Sequence, residues 1–198
     1  MVTVQPVKAR MENLERVMMG NTSTGTFDER LTQLLKLAYA NGKLVVKNVT
    51  LNKDNLLKIK LITPLNTRTS RPGDGIVFQV ADDIYVDGSL IIAKGAQGIG
   101  KVNKVEGARN FGRDAKMEIR FDTVDAIDGS SISTVLGEKA KAENKSLATA
   151  AGASVAGMMI LGPLGIVGGA FIHGKDVDIP AGTEVYIQIK EQINLNGI

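Results

Sequence analysis

Apolar and polar residues alternate in four separate stretches after Lys43, and this alternation constrains the fold more than any other feature. A period of two places one face of a strand in a core and the other face in solvent. Turn-forming sequences punctuate the stretches at residues 72–75, 87–89, 128–130 and 180–182, and no helical pattern alternates with them. We therefore expect a mainly β protein, built as an antiparallel barrel or sandwich. The predicted core positions are Leu57, Ile59, Leu61, Ile76, Phe78, Val80, Met117, Ile119, Phe121, Val185, Ile187 and Ile189.

The first 41 residues have a helical period instead, and one apolar pattern occurs twice within them. Arg10 begins the first copy and Arg30 the second. Thr26 and Glu29 form a capping-box pattern, and Gly20 and Gly42 stand where the two helices should end. We expect a helical hairpin too small to bury its own core, so its apolar side chains should contact the main domain, a second copy or a partner. These side chains are Met11, Leu14, Val17, Leu31, Leu34 and Leu37.

The remaining chain, residues 42–198, forms the predicted β domain, and it contains an apolar glycine-rich insert at residues 147–172. The insert has no charged residue, and a polar, weakly helical stretch at 137–145 precedes it. Its small residues recur every four positions, a spacing that lets helices approach closely. The small residues and the central break are Ala148, Gly152, Ala153, Ala156, Gly157, Gly162, Pro163, Gly165 and Gly169.

Two structures fit this insert. One is a kinked helix of about 26 residues, longer than the roughly 20 needed to span a bilayer, and the other is a hairpin turning at Gly162 and Pro163 with arms too short to cross. The interpretation we prefer is a helical segment that inserts in a membrane or packs tightly in an oligomer. The alternative is a buried helical pair or glycine-rich loop within a soluble core.

The sequence contains few of the residues that common catalytic sites need. The chain has no cysteine and a single histidine, His173, at the end of an apolar run. The run from Gly95 to Val102 resembles a phosphate-binding loop, but Val102 stands where magnesium binding needs Ser or Thr, and a strand pattern follows. Aspartates at 82, 83, 87, 122, 125 and 128 fit turns better than a calcium site. We expect no enzyme activity, no metal and no cofactor.

Charge and the N-terminal residues bear on partners and location. The net charge is +3 and the pI about 9.1, with acidic and basic residues interleaved, so nucleic-acid binding is not expected. A modest stretch of basic residues favours a solvated loop, or else a contact with anionic lipid headgroups. Its residues are Lys101, Lys104, Arg109, Arg113 and Lys116. The first ten residues show no signal peptide, so the protein is either cytoplasmic or a form whose signal has been removed.

The run from Gly73 to Val102 resembles the C-terminal β-barrel domain of the TrbI-type outer-membrane channel proteins of type IV secretion systems. In that family a strand, an Asp-Gly turn, a Pro-Lys-Gly turn and a Gly-x-Val strand recur, and here they correspond to Asp87-Gly88, Lys94-Gly95 and Gly100-Lys101-Val102. The resemblance covers roughly residues 57–189, and the glycine-rich insert and residues 179–183 stand in corresponding late positions. The chain differs in having Ala93 where the family has a turn proline, and in its short N-terminal hairpin.

This resemblance implies a barrel whose late apolar segment lines a membrane pore in a ring of subunits. Together with the insert, it leads us to expect a non-enzymatic structural protein of the bacterial cell envelope, in the periplasm or outer membrane. We expect a homo-oligomer that forms through a membrane-associated insert, with other envelope proteins as further partners. The alternative is a soluble protein-binding adaptor whose insert packs on the β domain.

Overall fold

The computed structural model describes residues 6–107, 115–150 and 177–198, and the chain divides into two compact units. One unit comprises the residues up to Val46 together with Ile198, and the other comprises Lys47–Gly197.

The first unit contains two helices, α1 (Val7–Met19) and α2 (Phe27–Ala38). At the end of α1, Gly20 adopts a positive φ of 79° and its N–H donates to the Arg16 carbonyl, as expected of a glycine stop. The predicted capping box of α2 is confirmed, because Thr26 Oγ1 accepts from the Glu29 N–H and the Glu29 carboxylate accepts from the Thr26 N–H. The predicted stop at Gly42 is wrong, since α2 ends at Ala38 and Gly42 lies in a later turn, where its N–H donates to the Tyr39 carbonyl.

The second unit contains the strands and a third helix, α3 (Glu138–Ala150). The strands are β1 (Lys47–Leu51), β2 (Leu56–Leu61), β3 (Leu65–Asn66), β4 (Gly75–Val80), β5 (Ile84–Val86), β6 (Ser89–Ile92), β7 (Gln97–Glu106), β8 (Lys116–Asp125), β9 (Ser131–Val135), β10 (Asp178–Ile179), β11 (Glu184–Ile189) and β12 (Ile193–Gly197).

Six of these strands form a closed antiparallel barrel in the order β11, β2, β4, β7, β8 and β9, with β9 pairing back to β11. The mainly β class is confirmed, and the barrel is the architecture adopted of the two expected. Three two-stranded ladders complete the unit: β1 with β12, β3 with β10, and β5 with β6.

The core lies inside the barrel, where the two aromatic rings of Phe78 and Phe121 meet edge to face with centroids 5.5 Å apart. Every apolar position predicted from the alternation is buried, none more than 7% exposed. The alternation predicts burial correctly because a strand in a closed barrel points every second side chain inward.

The seam between β9 and β11 is short. Only two residue pairs close it, Val135 opposite Gln188 and Thr134 opposite Ile189. Beyond Val135 the chain leaves the barrel wall and enters α3, which packs against β11. The helix therefore lies beside the seam at the point where the strand pairing stops.

Candidate functional site: the attachment of the glycine-rich insert

Most of the small residues predicted to pack in the insert lie outside the described residues. Ala148 belongs to α3, while Gly152, Ala153, Ala156, Gly157, Gly162, Pro163, Gly165 and Gly169 are not described. The structure does describe the two places where the insert joins the barrel. One is α3, and the other is the segment from Val177 into β10.

Asn144 ties α3 to the barrel wall. Its Nδ2 donates to the Tyr186 carbonyl at 2.8 Å, and its Oδ1 accepts from the Tyr186 N–H at 2.7 Å. These are the main-chain groups of β11 that a neighbouring strand would otherwise pair. Asn144 is buried, so both hydrogen bonds are shielded from water. One side chain thus continues the ladder past the end of β9.

Gln188 holds the start of the same helix. Its Oε1 accepts from the Ala140 N–H, one of the N-terminal amides that a helix cannot pair internally, and its Nε2 donates to Asp54 Oδ1 at 2.6 Å. A side chain at Gly137 would overlap the Gln188 carboxamide as it now lies, so glycine leaves that carboxamide free to bind the start of the helix. Strand β11 therefore caps α3 from outside the helix.

Thr67 holds the returning end of the insert. Its N–H donates to the Val177 carbonyl and its Oγ1 accepts from the Val177 N–H, both at 3.0 Å. Strand β10 then pairs with β3, Ile179 opposite Leu65, and both of these side chains are buried. Both ends of the insert are consequently fixed to the barrel by hydrogen bonds rather than by apolar contact alone.

The outer face of β11 carries a charged cluster beside this attachment. Glu184 accepts from Lys58 Nζ at 2.6 Å and from Lys60 Nζ at 3.3 Å. The Lys58 ammonium is the main reason that the pKa of Glu184 lies below its usual value. Since both lysines are partly exposed, this cluster adds little to stability.

The glycines of the phosphate-loop-like run serve the barrel core. Gly98 and Gly100 lie in β7, and both point inward. A methyl group at Gly98 would overlap the Phe78 ring, and one at Gly100 would overlap the Arg120 carbonyl. Lys94 and Gly95 form the turn before β7, as the sequence predicts, and β7 continues past the run to Glu106. The run therefore lacks the helix N-terminus that cradles phosphate.

Of the predicted turn aspartates, Asp87 and Asp128 do lie in turns. The prediction is wrong for Asp122 and Asp125, which lie in strand β8. Asp128 accepts from the N–H groups of Ser130 and Asn196, which links the turn between β8 and β9 to β12. Burial tends to raise the pKa of Asp128, but these N–H groups together outweigh it and leave the pKa below its ordinary value. Within residues 6–107, 115–150 and 177–198, no three metal-binding side chains cluster. Of the basic stretch, Arg109 and Arg113 are outside the described residues, and Lys104 pairs with Glu106.

Four of the six apolar hairpin residues that were predicted to contact a partner are exposed in the structure. Leu14, Val17, Leu31 and Leu37 are exposed, Val17 to 84%, whereas Met11 and Leu34 are buried. The repeat predicts that the two helices bury the same positions. Instead, Met11 corresponds to the exposed Leu31, and the buried Leu34 corresponds to the exposed Leu14.

A buried ion pair explains that asymmetry. Glu15, which is fully buried, occupies the position at which the second copy of the repeat has Leu35, and it accepts hydrogen bonds from Arg30 Nε at 2.8 Å and Nη2 at 2.7 Å. The Arg30 guanidinium holds the pKa of Glu15 below its ordinary value against the opposing effect of burial. Sequence reasoning missed this pair. The one available signal was a glutamate interrupting the repeat.

Among the described residues, none of the helices is both long enough and apolar enough to cross a bilayer. No family model matches the sequence, and no curated protein is significantly similar to it. A solved structure of ComB10, from the Com type IV secretion system of Helicobacter pylori, matches 73% of this chain and 89% of its own at 17% identity, with a TM-score of 0.40.

Proposed function

We propose that this chain is a non-catalytic structural protein of the bacterial cell envelope, in which the barrel holds the glycine-rich insert so that it packs with the inserts of other subunits in or against a membrane. The observation that carries the proposal is the attachment of the insert at both ends, by Asn144 on Tyr186 and by Thr67 on Val177.

The composition of the insert supports packing of helix on helix. Residues 147–172 lack any charge, and their small residues are spaced four apart. In a membrane, small residues at this spacing let backbones approach closely, which supplies the van der Waals contact that drives association there. Bulky side chains at Gly157 or Gly165 would keep the backbones apart.

The attachment supports the role of the barrel as a holder. A segment that packs with neighbours needs a rigid base, because motion at its ends would add to the entropy lost on assembly. Gln188 and Asn144 fix α3 over two successive turns, and the Thr67 hydrogen bonds fix the other end.

The envelope location is supported by the resemblance of residues 57–189 to the TrbI-type barrel domain. The exposed apolar residues of the hairpin, such as Val17 and Leu37, are its proposed contacts with a further envelope partner.

The proposal is tested by Gly157→Leu and Gly165→Leu, with Val167→Leu as the matched control. Val167 lies in the same segment but outside the small-residue pattern. In detergent, both glycine variants should run at a smaller mass than the wild type, and the control should keep the wild-type mass. The thermal midpoint of the barrel should hardly change in any of the three.

The opposite result would favour a soluble adaptor whose insert packs on the barrel. In that case the wild type is a monomer, and the glycine variants lower the stability of the β domain by about 1 to 3 kcal/mol, because they overpack a core. If the wild type is monomeric and the glycine variants lower the thermal midpoint of the β domain, the assembly proposal is wrong.

A further inference from the structure

Two asparagines of this chain, Asn41 and Asn196, are followed directly by glycine. An asparagine loses ammonia when the main-chain nitrogen of the next residue attacks its side-chain carbonyl carbon, and this reaction contributes to the thermal lability of asparagine. Glycine has no side chain to hinder the attack, and its main chain adopts the widest range of conformations. At these two pairs, the surrounding fold therefore decides whether the asparagine is modified.

The first pair lies in a turn between α2 and β1. Asn41 is exposed, and Gly42 adopts a positive φ of 65°. The Gly42 N–H donates to the Tyr39 carbonyl at 2.8 Å. A single hydrogen bond in a partly exposed turn opens at little cost in free energy. The attacking nitrogen is thus freed whenever the turn opens.

The side chain of Asn41 already accepts a hydrogen bond on the oxygen that becomes charged. Its Oδ1 accepts from the Lys43 N–H at 3.1 Å. When the Gly42 nitrogen adds to Asn41 Cγ, negative charge develops on Oδ1. A main-chain N–H aimed at such an oxygen stabilises that charge. The turn therefore brings the nucleophile and a donor for the oxyanion to the same asparagine.

The second pair, Asn196 and Gly197, lies inside strand β12, which pairs with β1. The Asn196 N–H donates to Asp128 Oδ2 at 2.8 Å, and its Oδ1 accepts from Asn48 Nδ2 at 3.3 Å. Gly197 is buried, and a methyl group there would overlap Ile91. Ring closure needs rotation about the bond between Cα and the carbonyl carbon of Asn196. These contacts prevent that rotation unless the strand opens.

We propose that Asn41 is a site of spontaneous deamidation in the folded protein, and that Asn196 is protected. The Gly42 nitrogen loses its proton to solvent base and bonds to Asn41 Cγ. The bond from Cγ to the side-chain nitrogen then breaks, and that nitrogen takes a proton from water and leaves as ammonia. Water next adds to one of the two carbonyls of the resulting succinimide. The bond from that carbon to the Gly42 nitrogen breaks and the nitrogen regains a proton, which leaves aspartate or isoaspartate.

The modification changes the turn in two ways. It lowers the formal net charge of the chain from +3 to +2, because a carboxylate replaces the Asn41 carboxamide. The isoaspartate product also adds a methylene group to the main chain within the turn that the hydrogen bond from Gly42 to Tyr39 closes. This inference concerns neither the barrel nor the glycine-rich insert, and it does not depend on the proposed function.

The test incubates the full chain in mildly alkaline buffer, folded or unfolded in guanidinium chloride, and follows the Asn41 and Asn196 peptides by mass spectrometry. Dividing each folded rate by its unfolded rate removes the effect of the different sequence neighbours. Folding should slow deamidation at Asn41 by less than about fivefold, because the turn opens easily. It should slow Asn196 by about tenfold or more, which corresponds to an opening free energy of about 1.4 kcal/mol.

Two variants identify the source of the early mass gain in the intact folded chain. Asn41→Gln should remove most of it, because glutamine must close a larger ring. Asn196→Gln is the matched control and should leave the gain unchanged. The proposal is wrong if folding slows Asn41 by about fivefold or more, or if it slows Asn196 no more than Asn41. An early mass gain that survives Asn41→Gln would also overturn it.

Discussion

The side-chain amide of Asn144 pairs with both main-chain groups of Tyr186, at 2.7 and 2.8 Å, and so takes the place of a residue in a neighbouring strand. A helix cannot join a sheet through its own backbone, whose groups are used internally. Asparagine solves this because its carboxamide carries the same donor and acceptor as a peptide unit. The barrel seam and the base of the insert are therefore stabilised by one residue.

Asn144→Leu should cost the second unit about 2 to 4 kcal/mol, because it leaves the partly buried Tyr186 N–H and carbonyl without their partners. Urea denaturation followed by the β signal measures the loss. Glu143→Ala, an exposed neighbour on α3, is the matched control and should change the free energy of unfolding by less than about 0.5 kcal/mol. Equal effects of the two substitutions would show that the hydrogen bonds do not hold the seam.

Gly98→Ala should destabilise the barrel by about 1 to 3 kcal/mol, since the added methyl overlaps the Phe78 ring. Phe78→Leu removes that ring, so the double variant should be more stable than the sum of the two single losses predicts. Lys101→Ala should leave the free energy of unfolding nearly unchanged. Strict additivity between Gly98 and Phe78 would contradict the packing explanation of the glycine.

The hairpin should lose stability in acid through Glu15. Because its pKa is below the ordinary 4.5, the ion pair with Arg30 contributes fully above that pH and is lost as the pH falls through the depressed value. In the Glu15→Gln variant, the amide hydrogens of α1 and α2 should exchange with solvent faster than in the wild type at neutral pH. The two proteins should converge at low pH, and a difference that persists there would exclude the ion pair as its cause.

Replacing residues 151–172 with a short Gly-Ser linker should leave a cooperative melt of the β domain. The contacts of Gln188, Asn144 and Thr67 all lie outside the replaced stretch and remain available. Loop-closure entropy changes only slowly with length, so a shorter connection adds little cost. Circular dichroism against temperature checks this, and a molten or insoluble product would mean that the insert belongs to the core.

The barrel core could be predicted from sequence because alternation is a local signal. Residues such as Leu57 and Ile187 follow it whichever strands become neighbours. The strand order, and therefore the choice of a barrel, depends on pairings distant in sequence that no local pattern encodes. The contacts of Asn144 and Gln188 could not be predicted for the same reason, since each joins residues more than 40 positions apart in the sequence.

The hairpin shows a different limit of the sequence signal. Its period correctly predicted two helices, and the Thr26 capping box correctly placed the second start. The buried face was not predicted, because a period of 3.6 marks an apolar stripe but not which of its residues meet across the hairpin. Glu15 and Arg30 decide that, and an ion pair between two helices has no periodic signature.

The mass of the intact chain in detergent, compared with its mass in plain buffer and with that of the Gly-Ser linker variant, tests the central claim most directly. The account predicts an oligomer of the wild type in detergent and a monomer of the linker variant under the same conditions, both with an intact β-domain melt. A wild type that is a stable monomer in both solvents would contradict it.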